Sequence, residues 1–192
     1  MHPSLKKDLG EHMSNFTLHT KDTAPEAAKS LLDNSVSAFG MIPNLHAVMA
    51  EAPTLLEGYQ VLHELFQKTS FTAEELTVVW QTINVEHDCH YCVPAHSAIA
   101  ASMKVDQAIV DALVNKTPLA SAKLEILRGT TLAMTRNRGV IDKQQLDAFF
   151  DAGYSNQQLL EIVLGLSQKV MSNYTNHLAN TEIDEPFKKF AK

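Results

Sequence analysis

The feature that most narrows what this chain can become is the period of its apolar residues. They recur every three to four positions over long stretches, and almost no stretch alternates with a period of two. The 7 glycines and 7 prolines are read as breaks between those stretches, and the expectation is an all-α fold. The first helix takes Thr23 as N-cap, Pro25 in its first turn and Glu26 as capping-box acid. It turns Ala28, Leu31, Leu32, Ser35, Val36 and Phe39 inward and stops at Gly40. Asn44 is expected to cap a short helix bearing Leu45, Val48 and Met49. Pro53 opens the next, with Leu55, Leu56, Tyr59, Leu62, Leu65 and Phe66 facing inward. Thr72 and Glu75 form a capping box, from which Leu76, Val79, Trp80 and Ile83 lead toward Glu86. Later helices are expected over Asp106 to Val114, Leu119 to Arg136, Asp142 to Ala152 before Gly153, and Asn156 to about Leu178 behind a Ser155/Gln158 box. The polar tail from Thr181 to Lys192 is expected to pack only through Phe187 and Phe190.

Pro94 forces one further break. A proline deep in a helix clashes with the carbonyl four residues back, so the helix through Leu76 should end near His87 and a new one should start around His90 to Val93. Cys89 and Cys92 then lie at that start. Laying Thr72 on Ser155 also gives a faint internal repeat, with Leu76 on Leu159, Val79 on Ile162 and Tyr91 on Tyr174. Shared helical periodicity accounts for it equally well. If the halves are copies, Glu86, Cys89, Cys92 and His96 meet Lys169, Ser172, Thr175 and Ala179, which would leave the second half as scaffold.

With 192 residues, 45% of them apolar, the chain suits a single domain over 1–192. Lys and Arg number 16 against 22 Asp and Glu, a formal net charge of −6 with no basic run, so a nucleic-acid partner is not expected. Met1 to Gly10 is polar without an apolar leader core, and no stretch nears the roughly 18 apolar residues of a membrane span. The expectation is a cytoplasmic protein with no membrane partner. Two cysteines are too few for a secreted disulfide scaffold, so a close pair reads as redox or metal chemistry.

That pair lies in the densest cluster of chemistry in the chain, Glu86-His87-Asp88-Cys89-His90-Tyr91-Cys92-Val93-Pro94-Ala95-His96. Cys92 and His96 are one helical turn apart, and Cys89 precedes Cys92 at the spacing of a reversible CxxC disulfide. A helix N-terminus and a nearby imidazole favour the thiolate, which is the form that attacks oxidants. Attack on a peroxide would leave a sulfenic acid on Cys92, and Cys89 is placed to condense with it. Glu86 is expected to reach the same pocket from the preceding helix end. Two other readings of these residues are a pair of buried structural thiols and a zinc site that adds ligands from His87, His90 and His96. Trp80 and Tyr91 are candidate pocket walls and His177 a candidate approaching side chain, while Arg136 and Arg138 are read as answering a helix dipole and solvent.

Glu86-x-x-Cys89-x-Tyr91-Cys92-x-x-x-His96 resembles the signature of the carboxymuconolactone decarboxylase superfamily in its alkylhydroperoxidase D (AhpD)-like branch. Phe39-Gly40-Met41-Ile42-Pro43-Asn44-Leu45, Gly153-Tyr154-Ser155 and Ser172-Asn173-Tyr174-x-Asn176-His177 resemble flanking segments of that branch, so the likeness covers most of the chain. It implies an all-helical fold, assembly as trimers or hexamers, and a thiol peroxidase that needs no bound cofactor. A small hydroperoxide would be the substrate and a dithiol the reductant. By the same resemblance Cys92 is the peroxidatic cysteine, Cys89 supports proton transfer and resolution, and Glu86 and His96 form a proton relay. The chain departs from the pattern in carrying Tyr91, not histidine, directly before the second cysteine, with His90 one position earlier. A dithiol–disulfide oxidoreductase without peroxidase activity and a non-catalytic zinc module are the alternatives.

Overall fold

The computed structural model describes residues 16–191, and the polar stretch read at Met1 to Gly10 lies outside them. Ten helices and no strand occur among the described residues: α1 (Glu26–Phe39), α2 (Asn44–Met49), α3 (Pro53–Gln67), α4 (Ala73–Glu86), α5 (Cys92–Ser102), α6 (Gln107–Val114), α7 (Ala122–Arg136), α8 (Lys143–Asp151), α9 (Asn156–Ala179) and α10 (Glu185–Lys188). The capping boxes at Thr72/Glu75 and Ser155/Gln158 both form, each satisfying two otherwise orphaned N–H groups. Gly40 ends α1 in the left-handed region, at φ 73°.

Two starts differ from expectation. Thr23 does not cap α1: Pro25 holds the N-cap position, and the Thr23 hydroxyl instead accepts from the Thr20 N–H, closing the turn ahead of the helix. Likewise Pro43 stands at the N-cap of α2. Asn44 is its first residue, and its side chain donates to the Glu182 carbonyl.

Helix α4 is the centre, packed against α5, α6, α7 and α9. Every residue from Glu75 to Asn84 is buried, so α4 is enclosed on all sides where the sequence suggested one inward stripe. The polar residues of that helix are therefore buried too, and they must find partners inside the protein. Helix α9 crosses α3 closely enough that a Cβ on Gly165 would meet the Phe66 ring at 2.7 Å. Val36, Phe39 and Leu65, expected inward, lie 40–46% exposed, because no described helix covers the outer sides of α1 and α3.

The buried apolar residues fall into two principal groups. One, built by α4, α6, α7, α8, α9 and the end of α3, includes Phe66, Trp80, Leu127, Phe149 and Ile162. The other joins α1, α2 and α3 to the start of α5, and it includes Leu32, Met49, Leu56, Tyr59 and both cysteines. The C-terminal tail is held on this second group by more than its phenylalanines. Asp184 is buried, accepting from the Tyr91 hydroxyl and the Asn44 N–H, so a carboxylate anchors the segment.

Candidate functional site

The break between α4 and α5 builds the site. His87 still has helical angles, Asp88 turns left-handed at φ 53°, and the Cys89 N–H reaches back to the Asn84 carbonyl at 3.0 Å. Cys92 then opens α5. Pro94 falls in that first turn, where its missing N–H leaves no helical bond unmade. The Cys92 amide donates to Cys89 Sγ at 3.2 Å, which folds the CxxC segment over the helix start.

The two thiols are both buried and unbridged, but their surroundings differ. Cys92 Sγ accepts from the Asn176 Nδ2 at 3.2 Å. Burial works against its ionisation. A hydrogen bond from the Cys89 thiol, the charge of Lys169 and the amides of Asn176 and Asn173 outweigh it, bringing the Cys92 thiol down to about 5. The Cys89 thiol is pushed well above its ordinary range, by the hydrogen bond it gives to Cys92, by burial and by the Cys92 charge. The environment thus favours the thiolate on Cys92 and the protonated thiol, as its hydrogen-bond donor, on Cys89.

Across from Cys92, His96 is buried on α5 with its ring 4.9 Å from Trp80. Its Nε2 lies 2.8 Å from the Nζ of Lys169, a fully buried lysine of α9. Burial and the neighbouring Lys169 hold His96 well below the usual imidazole range, so its ring is neutral. Burial also lowers Lys169, opposed by the charges of Cys92 and Cys89. Cys92, His96 and Lys169 line a cavity of about 40 Å³ with Leu45, Tyr59 and Ile99 among its apolar walls, room for a few water-sized molecules. His46 and His63 stand at its outer wall, brought down by burial to about 3 and about 4, so both present neutral rings.

A scan against family sequence models and a search of curated proteins each find no match. Solved structures do match over nearly the whole chain. An AhpD-core, peroxidase-related protein from Ralstonia eutropha JMP134 superposes with a TM-score of 0.79 at 15% identity, covering 91% of this chain and 94% of its own. A peroxidase-related protein from Silicibacter sp. TM1040 gives 0.76 at 15%, covering 96% and 97%. The apo form of the debrominase Bmp8 gives 0.76 at 18%, covering 92% and 96%. The chain has the AhpD-like fold.

Within the AhpD-like fold, the sequence-predicted residues divide. Cys89, Cys92 and His96 come together as expected, and Trp80 stands behind His96 with its Nε1 donating to Gln168 at 2.7 Å. Tyr91 lines the cavity, but its hydroxyl is committed to Asp184 and to the Leu45 N–H. Glu86 is not brought to the thiols. Both its oxygens are held by Arg136, at 2.7 and 2.9 Å, because the last turn of α4 packs beside the last turn of α7. This also corrects the reading of Arg136 as a group answering only dipole and solvent. His90 is exposed and bonds the Thr181 carbonyl at 2.9 Å, and His177 lies on the exposed side of α9, so neither faces the cavity. His87 bonds Asn173 Oδ1 at 2.8 Å. Among the described residues no three His, Cys, Asp or Glu side chains gather as a metal shell, since the three histidines of the cluster turn to Asn173, Thr181 and Lys169.

The missed residues are on α9. Lys169, Asn173 and Asn176 share one buried face, and Asn173 also donates to Asn84, which continues through Gln81 to Ser97. The spacing of Lys169, Asn173 and Asn176 on one helical face was visible in the sequence, but α9 carries polar residues all round, so the spacing alone did not mark that face as buried. Had the repeat been a true duplication that segment would have been scaffold, whereas it supplies the Asn176 amide and the Lys169 charge that favour the Cys92 thiolate.

Proposed function

We propose that this chain is a thiol-dependent peroxidase in which Cys92 attacks a small hydroperoxide and Cys89 resolves the product. The observation that carries the reading is the asymmetry of the two thiols: Cys92 at the first turn of α5 beside Asn176 and Lys169, and Cys89 held protonated against it. The Cys92 thiolate attacks the terminal peroxide oxygen, the O–O bond breaks, and two electrons pass from sulfur to oxygen. Cys92 becomes a sulfenic acid, and the departing alkoxide takes a proton to leave as the alcohol. The Cys89 thiol then displaces water from the sulfenic acid, closing the Cys89–Cys92 disulfide. An external dithiol restores both thiols. The small, largely apolar cavity supports a compact neutral peroxide as substrate.

The likeness to AhpD-core and peroxidase-related structures supports the same class of chemistry. His96, in the cavity wall, is the proton-handling group in this reading, and Glu86 has its structural place with Arg136 instead. No cofactor enters the cycle. The reading includes a cytoplasmic setting and self-association as a trimer or hexamer, supported by the exposed Val36, Val61, Leu65, Leu160 and Val163 on α1, α3 and α9.

A single-turnover experiment tests the reading. Reduced protein is mixed with one equivalent of hydrogen peroxide or of a small alkyl hydroperoxide, and free thiols and peroxide are counted. Loss of two thiols per peroxide is expected in the wild type. Cys89→Ser should stop at a trappable Cys92 sulfenic acid, and Cys92→Ser should consume none. A wild-type protein that exchanges disulfides with dithiols but leaves peroxide untouched would turn the assignment to a dithiol–disulfide oxidoreductase.

A further inference from the structure

Lys169 is a fully buried cation, and among the described residues no carboxylate pairs with it. It is fully buried on α9, its ammonium lies 2.8 Å from His96 Nε2, and it lines the cavity that Cys92 and His96 share. The groups facing it are Cys92 and Cys89 from the start of α5, His96 one turn further along, and His63 from α3. The sulfurs are the only ones of these that can carry negative charge. A buried ammonium without a counter-ion is strongly disfavoured. The charge of Lys169 and the ionisation of Cys92 therefore depend on each other.

The histidine gives this pair a direction. An ammonium has donors and no lone pair, so Lys169 must donate to Nε2, and the neutral ring then carries its own proton on Nδ1. Nδ1 is buried and has no protein partner among the described residues, although His96 forms part of the cavity wall. A polar N–H left unpaired in such a site is a donor for whatever enters it.

We infer that Lys169 is the proton source of the site, balancing the Cys92 thiolate before reaction and passing its proton through His96 to the leaving oxygen during it. The inference rests on the peroxidase reading. As the O–O bond breaks, the alkoxide takes the proton from His96 Nδ1, Nε2 takes one from Lys169, and Cys92 becomes the neutral sulfenic acid. Ammonium and thiolate disappear together, so no net charge is left buried at any stage. Disulfide closure then releases water and moves no charge. Reduction of the disulfide by a dithiol returns two protons with the two electrons, and one of these recharges Lys169. Lys169 acts through His96 and positions the ring's tautomer; it need not touch substrate.

Two substitutions test this. Lys169→Met removes the charge at similar volume, and Lys169→Arg keeps a charge that cannot give up its proton. In the reduced protein, ultraviolet thiolate absorbance should show the Cys92 midpoint moved up toward an ordinary thiol in Lys169→Met. The rate of Cys92 oxidation by stoichiometric peroxide at neutral pH should fall by about 10²- to 10⁴-fold, the range of general acid–base assistance. Wild-type protein, oxidised in weakly buffered indicator solution, should take up no proton, whereas Lys169→Arg should draw one proton from solvent for each disulfide formed. A Lys169→Met thiol that titrates and reacts like the wild type would overturn the inference, as would proton uptake by the wild type. The titration does not depend on peroxide, so a shifted midpoint in a protein that fails to consume peroxide would retain Lys169 as counter-ion while removing both the peroxidase reading and the relay.

Discussion

The two buried groups of this protein are made of different material. The one around α4, α7 and α8 is built on large aliphatic and aromatic side chains, with Leu127, Phe149 and Ile162 fully buried and the Phe149 ring stacked 4.7 Å from Tyr154, and the polar residues buried beside it are mainly threonines such as Thr77, Thr130 and Thr131. The one around α2, α3 and the start of α5 buries His46, Cys89 and Cys92, and it borders the polar face of α9 with Lys169, Asn173 and Asn176. Close packing of apolar side chains is the cheapest way to stabilise a fold, whereas buried polar groups cost stability unless each finds a partner. Stability and chemistry are thus spatially separated, joined by α4, whose Trp80 belongs to the first group while its indole touches His96 of the second.

Damage to the apolar group should stay within it. Phe149→Ala should cost about 3–5 kcal/mol by urea unfolding, as expected for an aromatic deleted from a packed core. Cys92 in the folded fraction should keep its low midpoint. Altered thiol titration in folded Phe149→Ala would show that the two groups are not independent.

A smaller effect is expected from the polar side. Asn176→Leu removes the amide that donates to Cys92 Sγ while leaving an apolar side chain of similar shape. A hydrogen bond to a charged group contributes about 1.5–3 kcal/mol, which raises the Cys92 midpoint by about one to two pH units. At neutral pH stability should fall by a comparable amount, because the native thiolate loses this donor, whereas below about pH 5, where the Cys92 thiol is protonated, stability should change little. An unchanged midpoint would mean that this amide does not hold the thiolate.

The smallest effect belongs to Glu86. Its pair with Arg136 is partly solvated, and pairs of that kind contribute about 0–1 kcal/mol. Glu86→Gln should lower the melting temperature slightly and leave the rate of Cys92 oxidation as it was. A large rate loss in a stably folded Glu86→Gln protein would return Glu86 to the reaction.

These contrasts also mark what was readable from the residues. Helix positions follow from local rules, and so did the break at Pro94, because capping boxes and a proline's missing N–H act within one turn of the chain. The CxxC and His96 were legible for the same reason, since they lie one turn apart. The partners were not: whether Glu86 turns to the thiols or to Arg136 depends on how α7 packs on α4, and nothing near Glu86 encodes that. Lys169 was hidden by an assumption about periodicity. A lysine in a long amphipathic stretch reads as solvated, and only the packing of α9 against α3 and α5 puts its face inside. Thr23 and Asn44 failed as caps because proline took the position, leaving their side chains to bond elsewhere.

Ultraviolet thiolate absorbance against pH in the reduced protein measures directly whether the site makes one thiol a thiolate and keeps its neighbour protonated. Burial resists the change, but the Cys89 hydrogen bond, Lys169 and the Asn176 amide prevail, so the thiolate should be present at neutral pH and lost only as pH falls through about 5. The wild type should show one such thiolate. In Cys92→Ser the midpoint of about 5 should vanish, since burial still resists ionisation of Cys89 although the hydrogen bond and charge of Cys92 are gone. A low midpoint that survives in Cys92→Ser, or a wild-type protein whose first thiolate appears only near the ordinary thiol value of about 8.5, would contradict the account.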